Sequence, residues 1–484
     1  MAAGRPALPT PVIHSPHPTH RLPAVNAADT SSAPTIVVIG GGFSGTAVAA
    51  HLLRRGRPVR VLLVNRYGPI GRGVAYRTRL EAHVLNVPAG GMSALPEEPD
   101  DFVRFARGRD SSIQAGTYVS RRVYGEYLQH VLRTAETRAV SEAALERVVG
   151  EVRDVVAGPG GGATVVFADG GRRGADAVVL ALGNYSPADP PAEGGDFYAS
   201  TRYVRDPWIR GSLDAIREGE SVLMLGTGLT MMDIVLDLAS RGVRRPLRAV
   251  SRHGLLPHAH VESGAGPAGP ALPPGFDEPP LTAARLLSAV RRQAAARDGD
   301  WRGVVAALRP VTPALWKRLD RTERARFLRH VRPFWDVHRH RAAPTTAAAV
   351  SSLMAHGELQ LRAARVVRYE SAADGVRVVV RPRGGRETDV LFVERVVNCT
   401  GPSSDVARIG DALLDALLGR GQLVPDPHRL GVEVAEDGSV RDASGAPSPV
   451  LFLVGPLLKA RDWEATAVPE LRTHAARLAE RLLP

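Results

Sequence analysis

The chain has 484 residues, enough for two or three domains with separate cores. At 44% hydrophobic and 23% charged residues it reads as globular, and no apolar run reaches the ~18 residues of a membrane span, so no membrane partner is expected. The net charge is +12, but Lys317 and Lys459 are the only lysines and the arginines alternate with acids, which argues against a nucleic-acid stripe and leaves a general attraction for small anions.

Residues 1–34 are rich in Pro, Ala, Ser, Thr and His and lack an apolar stretch; they read as a disordered tail and not as a secretory leader. A strand is expected over Thr35–Ile39, a helix over Ser44–Arg55 and a strand over Val59–Val64. Gly and Pro breaks over 71–120 predict loops lying across a site. Tyr124–Arg138 has a helical pattern. Val152–Val156 and Ala163–Phe167 flank a Gly-rich turn and read as a hairpin. Ala177–Leu182 is apolar, ends on Gly183 and predicts a strand buried on both faces.

A second unit begins near Glu220, with a strand, a glycine turn, a helix and another strand over Leu247–Ser251. Gly264–Pro280 reads as a linker, and Leu281–Ala307 and Pro313–His330 as helices. Val366–Tyr369 and Val376–Val380 look like strands. Val393–Cys399 repeats the character of Ala177–Leu182 and closes on Thr400-Gly401. A buried strand over Val450–Val454 and a helix over Val468–Leu483 end the pattern. The expected fold class is α/β: two three-layer Rossmann-like dinucleotide-binding domains, the second inserted in the first, with a helical insertion. The first domain would run over 35–215, the second over 216–390 with the helical insertion at 281–356, and 391–484 would complete the first.

Gly40, Gly42 and Gly45 fit G-x-G-x-x-G directly after a strand and at the start of a helix. The first glycine makes the tight turn, the second lets backbone approach a pyrophosphate, and the third lets helix pack on strand. Phe43 and Ser44 open the helix. The acid expected about 20 residues on, to hold a ribose hydroxyl, is replaced by Asn65. The second turn keeps Gly226 and Gly228, with Thr230 in the first helical turn, but Met231 stands at the third glycine, which predicts a looser helix–strand contact. Its second strand ends in Ser251-Arg252, a pair suited to a 2′-phosphate; NADPH is expected, with NADH possible. Two such turns in one chain point to two dinucleotides placed for hydride transfer between them.

Cys399 is the single cysteine, which excludes a disulfide scaffold, a Cys-rich zinc site and a CxxC redox pair, and makes the cytoplasm the expected compartment. His258, His260, His338 and His340 lack the companion ligands of a metal site, and no metal is expected. Trp335, His338, His340 and Arg341 are dense in aromatic and cationic groups; they are candidates for a planar or anionic substrate, or for a helix end packed on its neighbour.

The chain resembles a bacterial group of FAD/NAD(P)-binding proteins that includes FAD-dependent urate hydroxylases and aspartate N-monooxygenases. The resemblance covers nearly everything after residue 34. It rests on Gly40–Gly45, Gly71–Tyr76, Leu85–Ser93, Leu225–Asp233, Trp335–Arg341, Asn398–Pro402 and Trp463–Glu470. It implies FAD in the first domain and NAD(P)H in the second, with Gly73, Asn86, Val87 and Met92 along the FAD. In such a topology the last helix can point its N-terminus at a flavin ring, which makes Trp463, Glu464 and Thr466 candidate cofactor residues; the alternative is ordinary helix capping, with Glu470 beyond Pro469 serving the dipole. The expected function is an FAD-dependent, NAD(P)H-using monooxygenase that hydroxylates a small polar substrate, urate-like or an amino acid, with O2 through a flavin peroxide. The alternative is a reductase or dehydrogenase that passes electrons to a small acceptor without oxygen insertion. A nucleotide-sensing or scaffold protein is the non-enzymatic reading.

Overall fold

The computed structural model describes residues 33–243, 246–261, 276 and 279–484. The expected tail and most of the expected linker at Gly264–Pro280 lie outside the described residues. In chain order, β1 (Thr35–Ile39) leads through α1 (Phe43–Leu53) to β2 (Val59–Asn65). Then come α2 (Asp101–Arg107), α3 (Arg121–Thr137) and β3 (Ala143–Val149). β4 (Val152–Ala157), β5 (Ala163–Phe167) and β6 (Arg172–Ala175) form a three-stranded antiparallel sheet, and β7 (Ala177–Leu180) follows.

The next group opens with β8 (Tyr203–Val204), β9 (Val222–Leu225), α4 (Leu229–Ser240) and β10 (Leu247–Ser251). Six helices follow: α5 (Ala283–Ala295), α6 (Trp301–Leu308), α7 (Thr312–Arg318), α8 (Arg321–Arg326), α9 (Arg332–Arg339) and α10 (Pro344–Ala355). The chain continues through β11 (Leu359–Ser371), β12 (Val376–Pro382), β13 (Asp389–Val393) and β14 (Arg395–Asn398). It ends with α11 (Ala412–Gly419), β15 (Ser439–Arg441), β16 (Pro447–Leu453) and α12 (Val468–Leu482).

Two large sheets organise these elements. One has the order β15-β16-β7-β1-β2-β3 and the other β13-β12-β11-β10-β9-β14-β8. One strand from the last fifth of the chain, β16, thus pairs with β7 beside β1, while another, β14, pairs with β9 in the second sheet. The central strands β1, β7, β9 and β14 are parallel to their neighbours and nearly wholly buried, because helices pack on one face of each sheet and antiparallel strands (β4–β6 with α11, or β11–β13) pack on the other. All eleven residues of α1 are buried; its small side chains let α12 and α3 press against it.

Several expectations need correction. The 71–120 region contains a helix, α2, and not loops alone. β3 and β6 were not foreseen: β3 alternates exposed Ala144, Glu146 and Arg147 along a sheet edge, and β6 reads Arg-Arg-Gly-Ala. The helix expected over Leu281–Ala307 breaks at Asp298 (φ 51°) and Gly299 (φ 84°), and Asp300 restarts it by accepting from the Gly303 N–H. The helix expected over Pro313–His330 breaks at Asp320, which caps α8 through the Glu323 N–H, and ends in a π-helical turn, Phe327–Val331.

Candidate active site

The two glycine turns match bond for bond. Gly40 donates to the Val64 carbonyl at 2.8 Å, and Gly226 donates to that of Val250 at 2.8 Å. Ala181 donates to Ile39, and Cys399 donates to Leu225, both at 2.8 Å. A Cβ on Gly40 (φ 116°) would stand 2.1 Å from the Ala181 carbonyl oxygen; one on Gly226 (φ 106°) would stand 2.6 Å from that of Cys399. The neighbouring strand end therefore demands glycine at both turns. Gly183 and Gly401, just past those strand ends, both have positive φ and open space where a side chain would be.

The second glycine of each motif is different. A Cβ on Gly42 would meet only the Cα of Gly73, at 3.7 Å, and one on Gly228 would meet nothing within 4 Å. Their backbones (φ −80°, ψ −161° and φ −84°, ψ −167°) suit any residue. Among the described residues no contact requires glycine there. Both are N-caps without a side-chain hydrogen bond, so no cap engages the first N–H groups of α1 and α4. The unfilled cradle and the bare helix end fit a dinucleotide pyrophosphate at each turn.

Asn65 ties the first turn to β2. Its Oδ1 accepts from the Gly41 N–H at 3.2 Å, and its Nδ2 donates to the Tyr67 and Gly68 carbonyls at 2.9 and 3.0 Å. Its side chain is thus largely committed within the loop. Ser251 holds the second turn in a related way: its hydroxyl lies 2.8 Å from that of Thr227 and accepts from the Gly254 N–H. Arg252 next to it is exposed. Burial, with Arg383 and Arg252 close by, holds His253 below its ordinary value, so positive charge gathers at this strand end. Met231, at the third position, is fully buried, so a side chain fills the place that Gly45 leaves to backbone in the first turn.

The loop carrying Gly73, Asn86, Val87 and Met92 crosses the first turn. Gly73 (φ 53°) faces Gly42, Met92 is buried in the first core, and the Asn86 carbonyl lies 3.0 Å from His260 Nε2. That bond joins the two halves. A second junction escaped the sequence reading: Arg121 of α3 donates to both oxygens of Asp233 in α4 at 2.7 and 3.2 Å, with both side chains about nine-tenths buried. His83 Nε2 lies 3.0 Å from the Asp233 carbonyl.

Trp463 and Glu464 turn their side chains toward the helices. Trp463 packs on Trp316 (4.8 Å between ring centres) and beneath Lys459 Nζ (4.4 Å). Glu464 accepts from Trp335 Nε1 and pairs with Arg339 at 2.9 Å. Thr466 is exposed just before α12. The Trp335–Arg341 run splits by side. His340 lies inward near Glu464 and Asp336 and is held below its usual value by burial. His338 packs at an angle against His258 and edge-on against Trp301, with ring centres 4.5 and 4.6 Å away. Arg341 lies beside Tyr118 and Arg302. Among the described residues no three His, Cys, Asp or Glu side chains converge as metal ligands, and no helix is long and apolar enough to cross a membrane.

Residues 37–185 match the FAD-NAD(P)-binding family. The whole fold is similar to ornithine hydroxylase (PvdA) from Pseudomonas aeruginosa, at 17% identity and TM-score 0.62 over 93% of this chain and 98% of that one. L-lysine 6-monooxygenase from Pseudomonas syringae is 19% identical, with TM-score 0.61 over 93% and 99%. DfoA, the FAD-bound cadaverine monooxygenase of Erwinia amylovora, is 13% identical, with TM-score 0.60 over 94% and 95%. At these identities the likeness is one of fold. A 129-residue stretch is 34% identical to the probable inorganic carbon transporter subunit DabA of Parafrankia sp. (strain EAN1pec), over 24% of this chain and 11% of that one. The chain thus matches about a tenth of that relative's length, and that protein's activity says nothing of this one.

Proposed function

We propose that the chain is an FAD-dependent, NAD(P)H-using monooxygenase acting on a small substrate with a polar end. The observation that carries this reading is the matched pair of glycine turns, each with its second glycine left open by the protein. One turn takes FAD and the other NADPH. The neighbours' printed activities, hydroxylation of ornithine and monooxygenation of lysine and cadaverine, support it.

Bound FAD would supply the electron transfer between nicotinamide and oxygen. The chain's own residues bind and orient. The first turn of α1, opened by Gly42, Phe43 and Ser44, meets the FAD pyrophosphate, and Gly73 leaves room opposite it. Gly228 and Thr230 do the same for the second nucleotide, and Ser251 with Arg252 favours a 2′-phosphate. Arg121–Asp233 and His260–Asn86 fix the two halves across the junction. Two electrons from NADPH reduce one oxygen atom to water while the other enters the substrate.

The test is NADPH turnover under ¹⁸O₂ with urate and a panel of amino acids and amines. Incorporation of label into an organic product, dependent on the substrate, is expected. NADPH consumption with an organic product that carries no label would make the protein a reductase instead.

A further inference from the structure

The helices of the insertion surround a cavity of about 550 Å³, within the range of about 300–1,000 Å³ that holds small organic ligands. Residues of two separate cores line it. Leu308 and Leu315 belong to one, and Trp316, Leu319 and Trp463 to the other; Leu286 and Trp335 line the cavity and pack against both. Protein interiors are packed to crystal density, so an opening of this size forfeits contacts that a ligand would restore.

Rings dominate the wall. Trp301, Trp316, Trp335 and Trp463, four of the chain's five tryptophans, are joined there by Phe327 and Phe334. Trp463 meets Trp316 at 4.8 Å and Phe327 edge-on at 5.2 Å between ring centres. Trp301 meets His338 edge-on at 4.6 Å. An aromatic body gains offset or edge-on contacts with such a wall, beyond what its buried area supplies.

Polar side chains of the wall are spent within the protein. Trp316 Nε1 donates to the Ala460 carbonyl at 2.9 Å, Trp335 Nε1 to Glu464 at 3.2 Å, and Thr312 Oγ1 to the Leu308 carbonyl at 2.8 Å. His338 Nδ1 lies 2.7 Å from the Phe334 carbonyl. Arg291 and His330 line the cavity from exposed positions, where water screens charge. Among the described residues no acid lines it. A charged group moved from water to this wall would lose its hydration for little return, so the cavity selects against charge.

The surroundings tie the cavity to both nucleotide turns. The Phe334 ring lies 5.7 Å from that of His253, next to Arg252 at the second turn. His338 packs against His258 at 4.5 Å, and His260, two residues on, lies 3.0 Å from the Asn86 carbonyl in the loop over the first turn. Trp463 directly precedes the segment that the monooxygenase reading sets beside the flavin.

We propose that the insertion binds the uncharged aromatic body of the substrate in this cavity and leaves the polar end outside it. This names the substrate class for the monooxygenase reading and rests on it.

The test is direct binding to FAD-loaded protein, measured by calorimetry, with naphthol, naphthoate and decahydronaphthol as probes that share one carbon frame. Naphthol should bind saturably, naphthoate at least tenfold more weakly, and the saturated alcohol severalfold more weakly. Ala294→Trp, which fills the cavity, should weaken naphthol at least tenfold, with FAD content as the check on folding. Leu287→Arg, which sets a cation in the wall, should reverse the order of naphthol and naphthoate. Any substrate oxygenated under ¹⁸O₂ should compete with naphthol. Equal affinity for the three probes, no binding of naphthol, unchanged naphthol binding in Ala294→Trp, an unreversed order in Leu287→Arg, or oxygenation that naphthol does not inhibit would overturn the proposal. Naphthol binding in a protein whose flavin NADPH cannot reduce would leave the site standing and remove the monooxygenase reading instead.

Discussion

The turn after β1 and the turn after β9 share their hydrogen bonds, their N-cap torsions and the steric demand for glycine at Gly40 and Gly226. They part at the third position. A Cβ on Gly45 would stand 1.9 Å from the Gly40 carbonyl oxygen, whereas Met231 occupies the equivalent place as a fully buried core residue. The same nucleotide-binding turn thus meets a backbone carbonyl in one copy and a buried side chain in the other. The comparison also sorts the glycines by purpose. Gly40, Gly45 and Gly226 serve the fold, while no contact among the described residues requires Gly42 or Gly228, which the proposed function gives to the two nucleotides.

The largest effects should come from separating those purposes. Gly42→Glu should abolish stoichiometric FAD while NADPH still binds, and Gly228→Glu should do the reverse, because each carboxylate enters only one cradle. Both variants should fold, since neither added Cβ has a close protein contact. Retained FAD in Gly42→Glu would sink the assignment of the first turn.

Next in size is the junction between the halves. Asp233→Ala strands the buried Arg121 and should cost about 3–5 kcal/mol in denaturant unfolding. Adding Arg121→Met should recover part of that loss, and the absence of any recovery would show that the pair matters only through packing. At the third position opposite changes should both destabilise. Met231→Ala opens a hole and should cost about 2–5 kcal/mol. Gly45→Ala overfills its site and should cost about 1–3 kcal/mol. A neutral Gly45→Ala would mean that α1 can move away from β1.

Arg252→Glu should lower the affinity for NADPH relative to NADH roughly tenfold or more, the scale of a charge-assisted hydrogen bond. An unchanged ratio would remove Arg252 from phosphate recognition. The smallest effect concerns His260, which burial and the nearby Arg341 push down to about 4. A folded value below the unfolded 6.5 means that the unfolded chain takes up the proton first. Its stabilisation is full above pH 6.5 and is lost as pH falls toward 4. His260→Gln should therefore show a shallower fall in Tm across that window than the parent.

What could be read from the sequence followed how local its cause was. β1, β7, β9 and β14 were legible because strands buried on both faces are unbroken apolar runs. The edge strand β3 was not, since half of it faces water and carries Glu146 and Arg147. The insertion helices kept their period but broke where Asp300 and Asp320 form caps, a choice their own pattern left open. The candidate run Trp335–Arg341 was found, yet its division was invisible: pairing of the segment at His258–His260 with Val337–Ala342 sets His338 and Arg341 by Arg302, while His340 turns inward. Arg302 and Trp301 carried no motif, and their proximity to Arg341 and His338 is purely tertiary.

The most direct test of the account is an anaerobic absorption spectrum of the purified protein, with NADPH added and air then admitted. A flavin band that NADPH bleaches and oxygen restores is the predicted result, because it requires both turns to be filled and their nucleotides to meet. A colourless protein that takes up no added FAD, or a yellow one that NADPH leaves unbleached with and without substrate, would contradict it.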